Sequence, residues 1–177
     1  MGKGGMQGFD KLQKQIEKLN QQLDDAQVEA FCQALAKELA ARLLAQVIKR
    51  TPVGVYGKET GKNGGTLRRG WTAKSESEAM GGTGPNVAGY VQSLTVTKSG
   101  NAYEIEIVNP VSYASYVEYG HRQEPGRFVP AIGRQLKKAW VEGRFMLTIS
   151  EKEIQQQAPN VLEKKLKKFL EDVLNVT

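Results

Sequence analysis

The feature that most limits what this chain can become is an apolar stripe that runs into a proline. Val28, Phe31, Leu35, Leu39, Leu43 and Val47 recur every three or four residues with alanines between them, which lines them along one face of an α-helix. Asp24 and Asp25 stand where free amides need an acceptor, and so mark a helix start. Thr51-Pro52 ends the element after Arg50, because proline disfavours helical geometry in the residue before it. Upstream, Phe9, Leu12, Ile16, Leu19, Leu23 and Ala26 draw another stripe. The expected start is therefore a short helix, a kink near Asp24, and a long helix to Arg50.

The pattern then changes. Residues 53–66 hold five glycines and no apolar period, a loop longer than most connections in compact domains. Residues 67–75, around Trp71, suggest a first strand, and the glycine-rich stretch 81–86 breaks it. Residues 90–97 and 102–108 suggest a hairpin about Ser99-Gly100-Asn101, with Tyr103, Ile105 and Ile107 alternating against Glu104 and Glu106. Ser112 can cap a short helix through Tyr113, Tyr116 and Val117, with Gly120 as its stop. After Pro125-Gly126 comes an amphipathic stretch around Ile132, Leu136 and Trp140. A joint at Pro159 precedes a last helix striped by Leu162, Leu166, Phe169, Leu170, Val173 and Leu174. The fold class is α+β: long N-terminal helices packed on a small antiparallel sheet, a short helix after the hairpin, and a C-terminal amphipathic helix. Residues 1–150 form the expected domain and 151–177 a helical arm.

Chemistry is hard to find in these residues. Cys32 is the only cysteine among 177 residues and His121 the only histidine. A disulfide within the chain is therefore excluded, and a zinc site lacks partners. Cys32, on an apolar helix face, reads as a small buried hydrophobe. Neither glycine-rich loop follows a buried strand or carries the Lys-Ser/Thr of a phosphate loop. Glu104 and Glu106 read as a solvated strand face. No catalytic, metal or cofactor constellation is expected. An enzyme would have to be built on His121, and a loop histidine is the plainer reading. No apolar run approaches the roughly 20 residues that span a bilayer, and the first residues lack a secretory h-region. Synthesis in a reducing cytosol is expected. The net charge is +6, and Lys49, Arg50, Lys58, Lys62, Arg68 and Arg69 face only Glu59 between 49 and 70, a local +5. Such a basic loop is either solvated or neutralises phosphates or an acidic surface without reading sequence.

Several short stretches belong together. They are Thr51-Pro52-Val53; Gly65-Thr66-Leu67-Arg68-Arg69-Gly70-Trp71; Asn109-Pro110; the run from Tyr113 to Arg122; and Gly143-Arg144-Phe145-Met146. In this order the chain resembles the phage neck and tail-completion family typified by the tenth gene product of a lambdoid coliphage. That family runs helix, T-P-V, T-G-x-L-R, strands, Y-A-x-Y-V-E-Y-G and R-P-F. The resemblance spans roughly residues 8–150. It departs where the long basic insert splits T-G-x-L-R and where the R-P-F proline is missing. A second degenerate copy of that element is Arg127-Phe128-Val129-Pro130-Ala131.

The resemblance implies a structural virion protein without catalytic activity, made in the host bacterial cytoplasm. It would be a neck, tail-completion or tail-terminator subunit, forming a six-fold ring at the head-proximal end of the tail. Its partners would be its own copies, the tail tube and the head connector, with DNA in the channel and no membrane. Lys58, Lys62, Arg68 and Arg69 are then candidates to face the DNA. Tyr113, Tyr116, Tyr119, Arg144, Phe145, Leu166, Phe169 and Leu170 are candidates for the subunit interface. The alternative is a sequence-nonspecific DNA-binding protein that uses the loop 49–70.

Overall fold

The computed structural model describes residues 14, 17, 23–56, 64–82, 84–130 and 133–175. Most of the upstream stripe, from Phe9 to Leu19, lies outside them, as do Lys58 and Lys62; Lys14 and Glu17 are helical. Helix α1, Asp25–Arg50, starts and stops as its sequence predicts. The Asp24 carboxylate accepts the Gln27 N–H at 2.6 Å, and the Gln27 side chain accepts the Asp24 N–H in return, which satisfies two amides left free by the helix start. At the far end the Thr51 N–H donates to Val47 O at 2.9 Å.

Helix α6, Met146–Asn175, lies antiparallel along α1. Three contacts in reversed order show it: Arg50 meets Ser150 and Glu153, Glu38 meets Lys165 at 2.5 Å, and Phe31 stacks on Phe169 with centroids 4.6 Å apart. The joint expected at Pro159 does not form. The helix runs through that proline, which is exposed, and contacts with α1 on both sides hold the axis across the missing N–H. Cys32 on α1 is half-buried, less enclosed than expected.

Two expected strands are helices. Residues 66–75 begin as α2, Thr66–Gly70, and Leu67, Gly70 and Trp71 are all buried, a spacing of three and four that only a helical turn puts on one side. Residues 90–93 belong to α4, Val87–Ser93, where the Asn86 side chain caps the Gly89 N–H at 3.0 Å. There Val87, Tyr90, Val91 and Leu94 pack inward on the same period. Between them lies α3, Glu76–Gly81, capped by Ser75.

The expected hairpin survives in shortened form as β1, Thr97–Ser99, and β2, Ala102–Glu104, antiparallel about Gly100-Asn101. Helix α5, Ala114–Tyr119, follows and stops at Gly120. Its N-cap is not Ser112, whose hydroxyl donates to the Glu76 carboxylate at 3.0 Å instead. The remaining strands are β3, Gly120–Arg122, β4, Phe128–Val129, β5, Arg134–Gln135, and β6, Trp140–Glu142. They pair β3 with β6 and β4 with β5. Gln123 N–H to Ala139 O and Leu136 N–H to Arg127 O, both 2.8 Å, join the two ladders into one ribbon. The expected stretch around Ile132, Leu136 and Trp140 thus supplies β5 and β6 with Leu136 between them, and Ile132 lies outside the described residues. The core gathers Leu44 and Val47 of α1 with Leu67, Trp71, Ala73, Ala79, Val91, Val111 and Met146. The result is α+β, with the long helices carrying small antiparallel ladders.

Candidate functional site

The residues that carry the sequence resemblance meet at two joints. Thr51 is wholly buried. Its hydroxyl donates to Val47 O at 2.6 Å and accepts from Trp71 Nε1 at 2.7 Å, so both polar groups are satisfied where α1 ends. The Arg68 guanidinium donates twice to Thr51 O, at 3.2 and 2.7 Å. Arg69 donates to Ala79 O at 2.7 Å and Gly64 O at 3.1 Å. Asn109 ties the next segment in, donating to Leu67 O at 2.9 Å and accepting the Val111 N–H at 3.2 Å. Arg50, a further cation of the basic loop, is paired with Glu153. Among the described residues, then, three of the cations in 49–70 are engaged inside the chain.

The second joint centres on Glu118, 6% exposed. Its carboxylate accepts the Leu147 and Thr148 N–H groups, each at 3.0 Å, and the Thr148 hydroxyl at 2.9 Å. These are first-turn amides of the 30-residue α6. A negative charge there satisfies free donors and sits at the positive end of the helix dipole. The backbone completes the clasp: Arg144 N–H donates to Val117 O at 2.8 Å and Phe145 N–H to Glu118 O at 3.0 Å. Phe145 takes a left-handed φ of 49° to turn into the helix. A Cβ on Gly143 would collide with Glu118 O, and one on Gly120 with Val141 O, so both crossings need glycine. Sequence reading missed Glu118; its signal was an acidic residue amid aromatics on a short helix.

What α5 turns outward differs. Tyr113, Tyr116 and Tyr119 are 39, 57 and 60% exposed, while Val117 and Glu118 face inward. Tyr113 borders a cleft of about 240 Å³ with Pro52, Val53, Tyr56 and Leu67. Burial of the ring, with Tyr56 and Glu76 nearby, raises its phenol above the ordinary 10. Arg144 and Phe145 are exposed, and on α6 Leu166 is exposed while Phe169 and Leu170 are half-buried, Phe169 against Phe31. His121 has its Nε2 3.1 Å from Gln123 Nε2 and the Tyr116 ring at 5.6 Å. Its Nδ1 is buried with no partner among the described residues.

Among the described residues no group of His, Cys, Asp or Glu could hold a metal, and no helix is long and apolar enough to cross a membrane. The geometry builds joints within the chain and leaves the aromatic rings of Tyr116 and Tyr119 open to solvent. Compared with known families, the chain matches over residues 10–120 the model described as "Bacteriophage HK97-gp10, putative tail-component". It belongs to that family and is a phage tail component of virions. The match ends at Gly120, so the Gly143-Phe145 element lies beyond it. Neither a curated protein nor a solved structure matches the chain.

Proposed function

We propose that this tail component is a neck, tail-completion or tail-terminator subunit. It forms a six-fold ring at the head-proximal end of the tail, on the tail tube, and offers a face to the head connector. It acts without catalysis or cofactor. Residues 1–150 supply the body and 151–177 the arm. The family match carries the reading. Supporting it, the motif side chains Glu118, Arg68 and Arg69 are engaged in internal hydrogen bonds, while Tyr116, Tyr119 and Phe145 lie open to solvent. Exposed aromatics are the residue type that anchors protein interfaces. The test is electron microscopy of tails made with and without the gene. Tails that lack the chain, or a deletion that still joins filled heads to tails, overturn the reading.

The alternative, nonspecific DNA binding through residues 49–70, loses support from the engagement of Arg50, Arg68 and Arg69. It predicts a steep fall of duplex affinity with salt, about one logarithmic unit per phosphate contacted. A flat response removes it.

A further inference from the structure

Burial alternates residue by residue from Ala102 to Val108, as along a strand, with Tyr103, Ile105 and Ile107 turned inward and Glu104 and Glu106 outward. Yet only 102–104 has a ladder partner: the register continued would set 105–108 against 93–96, of which Ser93 ends α4 and 94–96 lie in no ladder. Among the described residues, no backbone hydrogen bond reaches 105–108. Among the described residues, four successive positions thus offer unpaired N–H and C=O groups beside two outward carboxylates. An edge of this kind accepts an added strand.

The ribbon β3–β6 is the opposite case. Each of its ladders has two strands, and β4 and β5 have only each other as a substantial neighbour among the described elements. A two-stranded hairpin is marginal alone in water. Arg122, Arg127, Arg134, Lys137 and Lys138 stand along it against Glu124 and Glu142, a net +3. All five cations are exposed, and the one ion pair they make among the described residues, Arg127 to Glu124, is long at 4.0 Å. Among the described residues, the cations of the ribbon lie open, whereas Arg50, Arg68 and Arg69 of the stretch 49–70, where the sequence alone had concentrated charge, are engaged.

Resting on the ring reading, we propose that the acidic edge 104–108 of one copy takes up the basic ribbon 120–142 of the next. The two patches are different, complementary and on one chain, which is what a closed head-to-tail ring requires. Opposite charges across a strand pair attract, and like charges repel.

The test is charge-swap complementation with the full chain, in a strain that makes the particle but lacks this gene. One variant carries Glu104→Arg and Glu106→Arg; the other carries Arg134→Glu and Lys137→Glu. Each alone should lower incorporation into tails at least about tenfold, a loss of about 1.4 kcal/mol in association. Expressed together they should restore it to within about twofold, since every contact in an alternating ring regains opposite charges. Unchanged incorporation of either variant, or single losses that the mixture does not rescue, overturns the interface. A loss confined to the ribbon variant also overturns it and points to DNA as the ribbon's occupant. Against misfolding, hydrogen exchange on the wild-type chain gives a second readout. Amides 105–108 should slow at least about tenfold in the assembled form, and fast exchange there overturns the proposal. Tails that lack even the wild-type chain sink the ring reading itself, a different result from intact rings indifferent to both variants.

Discussion

The Thr51–Glu118 joints and the 120–142 ribbon use the same kinds of residue to opposite ends. Trp71 is 4% exposed and donates to Thr51, whereas Trp140 is 49% exposed. Arg68 spends its guanidinium on Thr51 O, whereas Arg134 lies open on a ladder edge. Glu118 is enclosed by first-turn amides, whereas Glu142 faces solvent. Residue type therefore does not decide between fold and assembly here; saturation of its polar atoms does. The joints bind α1, α2, α5 and α6 into one core, and the ribbon remains as a free surface.

Substitution tests this contrast most strongly at the joints. Trp71→Ala should cost about 3–5 kcal/mol in urea unfolding, from lost core packing and the loss of the donor to the buried Thr51 hydroxyl oxygen. Glu118→Ala should cost about 2–3 kcal/mol, because three donors at the head of α6 lose a charged acceptor. If either substitution leaves the unfolding midpoint unmoved, the joints are not what holds the helices together.

The same truncation made in both regions sharpens the comparison further. Arg68→Ala should destabilise by about 1–2 kcal/mol, since Thr51 O loses two charge-assisted donors in a half-buried setting. Arg134→Ala should stay within about 0.5 kcal/mol of wild type. Equal effects in a thermal or urea melt would erase the distinction drawn between the two regions.

How much of this was legible depended on whether the deciding force was local. The ends of α1 were readable because Asp24 and Thr51-Pro52 act within one turn. The stop of α5 at Gly120 was readable for the same reason. The stretch 66–75 was misread because Trp71 and its neighbours suit a strand as well as a turn, and only their burial against Val47 and Met146 decides. Pro159 misled likewise, as packing on α1 carries the helix across it. Arg68 and Arg69 belonged to a visible basic loop, but their carbonyl partners come from the fold's closure, including Ala79 and Thr51. The family match reaches to Gly120 through the run that begins at Tyr113, and that run was legible as part of the family resemblance. That its one carboxylate caps a helix thirty residues on was not, since nothing near Glu118 in sequence signals that partner.

The weakest expected effect falls between the long helices, away from both regions. Glu38 on α1 meets Lys165 at 2.5 Å and Arg42 at 2.8 Å. Lys165 first, then Arg42, hold its carboxyl below the ordinary 4.5. A carboxyl depressed in the folded state stabilises above its unfolded value, and that contribution drains away as pH falls through the lower folded value. The Lys165 side chain is 49% exposed, so solvent screens the pair to no more than about 0.5–1 kcal/mol. Glu38→Gln should thus lower stability slightly at neutral pH and leave it unchanged at the acid end, below the folded value. Stability curves of the two proteins should converge as pH drops below about 4.5, and sooner in high salt. Curves that stay parallel through that range would mean that Glu38 adds nothing to the α1–α6 clasp, which then rests on contacts such as Phe31 with Phe169 and Arg50 with Ser150 and Glu153.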